Sequence, residues 1–354
     1  MKIFCPFFLL LFSSLFLSCC SSGNKISFIE PEKPTIEEPK EPNKPEKPKP
    51  SLEDKNNEEL VYRNPHEPLH LQIGDKHPTQ EGWYFLTAHE FLDRDRRRGN
   101  LPVGFPDYDT KFISRMAKVD NLSCSEVKDG VLHIWAEHIP EGFENGYGET
   151  VYYKTGAYRT PVISNPNLWC VFTENMRIEV RYRRSNHVGL NNALWFMGNN
   201  NRPWPANSEI DLLENPKKTI NHKAHFTLHS ENYHAGNQGG KGSVTSSIEL
   251  ADMTEWAIYW MEWYPTKIVA GVNGATFFKH TKGANGITDW PWSDPEGFFM
   301  LITMGLSTDV NLWPGAVDPS SWDKDNLPSM WIDWVRVYSN KAYKGPDFAE
   351  NRFY

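Results

Sequence analysis

Residues 207–216 read N-S-E-I-D-L-L-E-N-P and place three carboxylates, Glu209, Asp211 and Glu214, among isoleucine and leucines. In a regular strand Glu209 and Asp211 would point to one face and Glu214 to the other, and the apolar residues would be split in the same way. One extra residue, a β-bulge around Leu212 and Leu213, puts all three acids on one face and returns the apolar residues to a core. Carboxylates that share a face repel, so at least one holds its proton beyond the ordinary carboxyl range. A protonated carboxyl beside an ionised one is what retaining cleavage of a glycosidic bond uses, with the two groups about 5–5.5 Å apart. Four effective strand steps separate the two glutamate Cα atoms by roughly 13 Å, a gap that two long side chains can close. The aspartate between them fits a group that hydrogen-bonds the nucleophile. The same pattern also suits the solvated acidic face of an edge strand, or a calcium site.

The elements that must carry these acids are strands. V-L-H-I-W-A-E, M-R-I-E-V-R-Y-R, H-K-A-H-F-T-L-H, W-A-I-Y-W-M-E-W-Y, K-I-V-A-G-V-N-G and W-I-D-W-V-R-V-Y alternate with period two and are rich in β-branched and aromatic residues. V-N-G at 272–274 signals a hairpin turn. No long stretch has a 3.6-residue period, and no internal repeat or second linker interrupts the pattern from Val61 onward. Short strands of this kind, running through residues 61–354 as one body, predict an all-β, jelly-roll sandwich of two antiparallel sheets with a concave cleft.

The 354 residues carry a net charge of -8, which argues against nucleic acid as a main partner. Aromatics make up 14% of the chain, with 14 Trp, enough for an exposed stacking surface as well as a core. The first 20 residues read as an export signal: Lys2 precedes an apolar run from Ile3 to Leu17, too short for a membrane span. That run ends in L-F-L-S-C-C, which resembles a bacterial lipobox and implies lipidation at Cys19 or Cys20; an ordinary cleaved signal is the other reading. Residues 21–60 are dominated by Pro, Glu and Lys and cannot bury apolar surface, so a disordered spacer is expected there. Together these features predict a bacterial envelope protein, anchored by lipid to a membrane (outer membrane or periplasm-facing). Cys124 and Cys170 remain, as a pair or as two free thiols.

E-I-D-L-L-E resembles the bulge-containing E-x-D-x-x-E signature of glycoside hydrolase family 16, and W-P-A-N-S resembles its lead-in. G-A-Y-R-T-P-V-I-S, I-E-V-R at 178–181, L-N-N-A-L-W-F-M-G and P-S-M-W-I-D-W-V-R-V-Y fall in the family's order across residues 83–340. The resemblance implies a jelly roll and endo-acting hydrolysis of a polysaccharide or long glycan through a glycosyl-enzyme, with retention. It implies Glu209 as nucleophile, Glu214 as general acid/base and Asp211 as the assisting carboxylate. No cofactor is required; a structural calcium on the convex face is a feature of some family members, and nothing in the sequence identifies its ligands. A monomer suffices to close such a core.

His225, Thr227 and His229 share a face if their strand is regular, which places the two histidines beside the acids. His222, His225 and His229 lack a Cys or acid partner at strand-compatible positions, so no metal site is expected. Trp195, Trp204 and Trp313 are the candidates for stacking on sugar rings; Trp331 and Trp334 are expected to pack inside the sandwich. Laminarinases of the family carry W-P-A-x-W where this chain reads N-N-A-L-W, which disfavours a β-1,3-glucan, and the I-D-W-V-R-V-Y ending resembles agarase and porphyranase relatives. The Arg-rich run 93–100 and the Lys217–Lys218 pair suit sulfate or carboxylate on a glycan, or simply a solvated loop. The substrate expectation is therefore a β-1,4-galactosidic linkage in an agar- or porphyran-type galactan or a lactosamine-type glycan. The alternatives are endo-β-1,3-glucanase and, in another class, a non-catalytic surface glycan-binding protein.

Overall fold

The computed structural model describes residues 74–91, 96–97, 101–102, 115–160, 171–216, 222–234, 242–284 and 289–341, with backbone alone at 96–97 and 101–102. The signal-like segment with Cys19 and Cys20, the spacer 21–60, Cys170, Lys217, Lys218 and the side chains of the Arg-rich run lie outside the described residues.

Alternating sequence gives strands wherever it was expected. In chain order they are β1 (Tyr84–His89), β2 (Arg96–Arg97), β3 (Leu101–Pro102), β4 (Lys118–Val119), β5 (Ser125–Lys128), β6 (Val131–Glu144), β7 (Thr150–Thr155), β8 (Ala157–Arg159) and β9 (Met176–Arg184). They continue as β10 (Leu190–Gly198), β11 (Glu209–Pro216), β12 (Lys223–His229), β13 (Val244–Glu249), β14 (Ala257–Tyr264), β15 (Lys267–Val272), β16 (Ala275–Thr281), β17 (Phe298–Leu306) and β18 (Ser329–Ser339). Among the described residues, α-helix is confined to one turn, Asn121–Cys124, capped by Asp120. None is long and apolar enough to cross a membrane. The V-N-G signal is a hairpin: Val272 pairs with Ala275, and Asn273 takes the left-handed conformation (φ 50°) that such a turn needs.

A ten-stranded sheet runs β16-β15-β14-β9-β18-β6-β7-β4, with β1 added on β18 and β5 on β6, and a six-stranded sheet runs β13-β12-β11-β10-β17-β8. Pairing is antiparallel throughout these sheets except between β4 and β7, which are parallel over two residues. Between the sheets lies one apolar core. Ile178, Val180 and Tyr182 of β9 and Met330, Ile332, Val335 and Val337 of β18 meet Leu194, Phe196, Ile210, Leu212, Leu213, Phe226 and Leu228 from the smaller sheet. The result is a two-layer jelly-roll sandwich.

The outer face of the larger sheet is closed by charge and aromatic rings rather than by apolar side chains. Glu179 takes His77 at 3.0 Å and Arg177 at 2.7 Å, Arg336 pairs with Glu90 at 2.7 Å, and Arg181 pairs with Asp333. A bulge between Ile332 and Trp334 turns both flanking tryptophans to this outer face. Trp334 is buried against Arg336, and Trp331 lies half-buried between His133 and Arg183. Neither joins the core between the sheets, contrary to the sequence expectation: a regular strand would put them on opposite faces, and the extra residue at Asp333 brings Trp334 to the same outer face as Trp331. Cys124 is a free thiol, pushed up to about 12 by burial, and far from reactive.

Candidate active site on the open face of the smaller sheet

The register around β11 shows how the acids come together. On the β10 side, Leu194 pairs with Leu213 and Trp195 with Asp211, so Leu212 is the extra residue of a bulge. On the β12 side the register also slips between Asp211 and Glu214. Leu212 and Leu213 are consequently both buried in the core, and Glu209, Asp211 and Glu214 share the opposite, open face. β11 is an inner strand with β12 and β10 on its flanks, which removes the reading of a solvated edge strand.

Each acid has a defined partner. The Trp204 indole N–H donates to Glu209, and the Asn191 amide donates to Glu214 at 3.1 Å. His229 Nε2 lies 3.3 Å from Asp211 Oδ2, close enough for charge attraction though not aligned as a hydrogen bond. The sequence expectation that the histidines lack an acid partner therefore fails for His229. The partner comes from the neighbouring strand, through the pairing of Glu209 with His229 and Asp211 with Thr227. Burial pushes all three acids up. Glu209 is raised well above the ordinary carboxyl range by burial and then by Asp211, against the pull of His229 and the Trp204 N–H. Asp211 is raised by burial and by Glu214. Glu214 is raised to about 7 by burial, with Asn191 pulling it down and Glu209 pushing it up. The three acids thus hold fewer than three charges near neutral pH and do not titrate independently of one another.

Glu209, Asp211 and His229 each bring one ligand atom within 4.8 Å of the others, a spacing that a cation could bridge. Two carboxylates and one imidazole fall short of the six to eight oxygens that calcium takes. The cluster also lies on the open face, not on the convex side where the resemblance would place a calcium.

The other sequence candidates gather on the same face. His225 pairs with Glu214 across the strands and packs edge-on against Trp313 at 5.0 Å. Burial, then Lys223, lowers its pKa and favours the neutral imidazole. Trp204 is 47% and Trp313 48% exposed, as stacking platforms must be. Trp195 sits beside Asp211 on this face, partly exposed, with its indole N–H on Thr303 Oγ1 at 3.0 Å, so its core alternative is set aside.

Sequence reasoning missed the residues that hold β11 in place. Trp292 donates its indole N–H to the main-chain carbonyls of Glu209 and His229, each at 3.2 Å. At the other end the buried Arg184 of β9 donates to the carbonyl of Asn215 at 2.5 Å and to its side chain at 2.9 Å. The lead-in to Glu209 packs so tightly on β10 that a Cβ on Gly198 would sit 1.9 Å from the Asn207 carbonyl oxygen. Ser208 just before the acid takes a left-handed φ of 67°, a strained conformation of the kind found at functional sites. Only the unusual density of Trp hinted at Trp292; nothing local marks Arg184.

No protein-family model matches the chain. A keratan-sulfate endo-1,4-beta-galactosidase of Sphingobacterium multivorum is 28% identical over 185 residues, covering 50% of this chain and 40% of that protein. The chain spans less than half the length of the curated relatives it matches. The laminarinase catalytic domain of Thermotoga maritima MSB8 superposes with a TM-score of 0.58 at 21% identity, over 73% of this chain and 98% of that one. A non-specific endo-beta-1,3(4)-glucanase of family GH16, SCLam, gives 0.58 at 18% identity, over 78% and 95%. At these identities the structural likeness bears on the fold.

Proposed function

We propose that this chain, which has the fold of the family 16 glycoside hydrolases, is a retaining endo-β-glycosidase with Glu209 as nucleophile and Glu214 as acid/base. The observation that carries the proposal is the bulge at Leu212, which brings three mutually perturbed carboxyls, that of Asp211 buried and the other two partly so, onto an open face lined by exposed tryptophans. In the first step ionised Glu209 attacks the anomeric carbon, the glycosidic C–O bond breaks, and Glu214 gives its proton to the leaving oxygen. In the second step Glu214 takes a proton from water, the water oxygen bonds to the anomeric carbon, and Glu209 departs as a carboxylate. Asp211 shares a proton with Glu209, and the Trp204 N–H and His229 favour the ionised form that attacks.

The substrate we favour is a β-1,4-galactosidic linkage inside a galactan or a lactosamine-type glycan. Asn191 in place of the first Trp of the laminarinase motif supports this, as does the name of the relative from S. multivorum. We place the protein at a bacterial cell envelope, held through lipid on Cys19 or Cys20 and acting as a monomer; L-F-L-S-C-C and the Pro-rich spacer support that reading.

One preparation of the full chain in detergent tests both parts. Reducing ends should appear from agarose, porphyran or a keratan-type glycan and vanish in Glu209→Gln. Release from laminarin alone would overturn the galactan reading in favour of a β-1,3-glucanase. Binding without turnover on every glycan would make the protein a glycan-capture module. A double Cys19→Ala, Cys20→Ala chain should lose its partition into a detergent phase, and unchanged partition would remove the anchor.

A further inference from the structure

We infer that Asn191 is a positioning residue for the acid/base: its amide N–H holds one oxygen of the Glu214 carboxyl, so that the transferable proton resides on the other. The inference rests on the glycosidase reading for its meaning in turnover, while the hydrogen bond itself can be tested without any glycan.

Asn191 lies on the open face of β10, two residues from Ala193, the register partner of Glu214. Its Nδ2 is 3.1 Å from Glu214 Oε1, and the residue is only 8% exposed. Its Oδ1 is buried without a hydrogen-bond partner, so the amide's side-chain bonding is spent on the acid alone. An unpaired buried acceptor costs stability, and such a group is better explained by a role at the site than by a role in folding. The carbonyl oxygen of a protonated carboxyl accepts a hydrogen bond better than its hydroxyl oxygen, so the N–H on Oε1 favours the O–H on Oε2. Once the proton has gone, the same N–H stabilises the carboxylate that must next act as base. Among the described residues, the other titratable groups facing Glu214 are Glu209 and Asp211 from its own strand and His225 and His229 from β12. β10 contributes Asn191, Ala193 and Trp195, none of them titratable there. Asn191 is therefore the neutral counterweight to two acids, and it tunes the acid without adding a charge that would bind a cation or repel a substrate.

The experiment follows 13C-labelled glutamate carboxyls of the unliganded full chain by NMR across pH, with Glu214 assigned by its loss in Glu214→Gln. Asn191→Leu should move the Glu214 midpoint up by about one pH unit, a ten-fold rise in proton affinity. The basic limb of kcat/KM should move with it on whichever glycan is turned over. Asn191→Ser, too short to reach Glu214, removes the same bond without adding a charge, so it should move the midpoint the same way, and it serves if N191L does not fold. A midpoint unmoved in both variants overturns the inference. A midpoint that moves in a chain with no turnover on any glycan upholds the bond and instead removes the glycosidase reading.

Discussion

Glu214 is the residue on which the pH behaviour turns. Burial raises it to about 7, whereas a free glutamate titrates at about 4.3. As the proposed acid/base it must be protonated to release the leaving group, so kcat/KM should fall as pH rises through about 7. On the acid side it should fall as Glu209, the proposed nucleophile, takes up a proton. The sign for stability follows from the same shift. Between about pH 4.3 and 7 the unfolded chain holds fewer protons on this group than the folded one, so rising pH destabilises the fold across that window. Glu214→Gln removes that penalty. It should stabilise the protein by about 1–3 kcal/mol at pH 8 and by little at pH 4 while lowering turnover roughly 10²–10⁴-fold. Denaturant unfolding at the two pH values checks it, and an equal gain at both would assign the raised pKa to another group.

The acid-bearing strand β11 is held at both ends by groups from outside its own sheet register. Trp292 fixes the Glu209 carbonyl and Arg184 fixes that of Asn215, with the bulge between them. Trp292 is itself fixed by the Trp263 indole N–H on its carbonyl, at 2.8 Å. Trp292→Phe keeps most of the ring and leaves two buried carbonyls without their donor, which should cost about 1–3 kcal/mol. Because one of those carbonyls belongs to Glu209, kcat should drop more than KM rises, and steady-state kinetics beside a melting curve would separate that from a purely structural loss. The sequence made the bulge legible, since E-I-D-L-L-E cannot face both core and substrate without an extra residue. It also indicated the histidine face of β12, through plain alternation. It could not show which indole or guanidinium reaches β11 from far along the chain, because a long-range hydrogen bond leaves no periodic trace. Trp331 and Trp334 depart from expectation for a related reason: a second bulge, at Asp333, breaks the alternation on which a face assignment depends.

At the scale of the molecule, two sheets divide the labour. The larger one seals its outer face with buried ion pairs such as Arg336 with Glu90, and the smaller one leaves its outer face to the acids and tryptophans. All-β architecture and the choice of face were readable from strand patterning and turn signals. Strand order, the parallel β4–β7 pairing and the charged outer face were not, since they depend on which strands become neighbours. The acid strand is an inner one, flanked by β12 and β13 on one side and by β10, β17 and β8 on the other. At about 4.8 Å per strand, roughly 10 Å of floor lies beyond it in one direction and 14 Å in the other. A polymer crossing the strands would have floor beneath it on both sides of the acids, so a cut need not begin at a chain end. Solutions of the true substrate should therefore thin early: viscosity should collapse while only a small fraction of linkages has been broken. A viscosity that fell only in proportion to reducing ends would mean that chains are consumed from their tips.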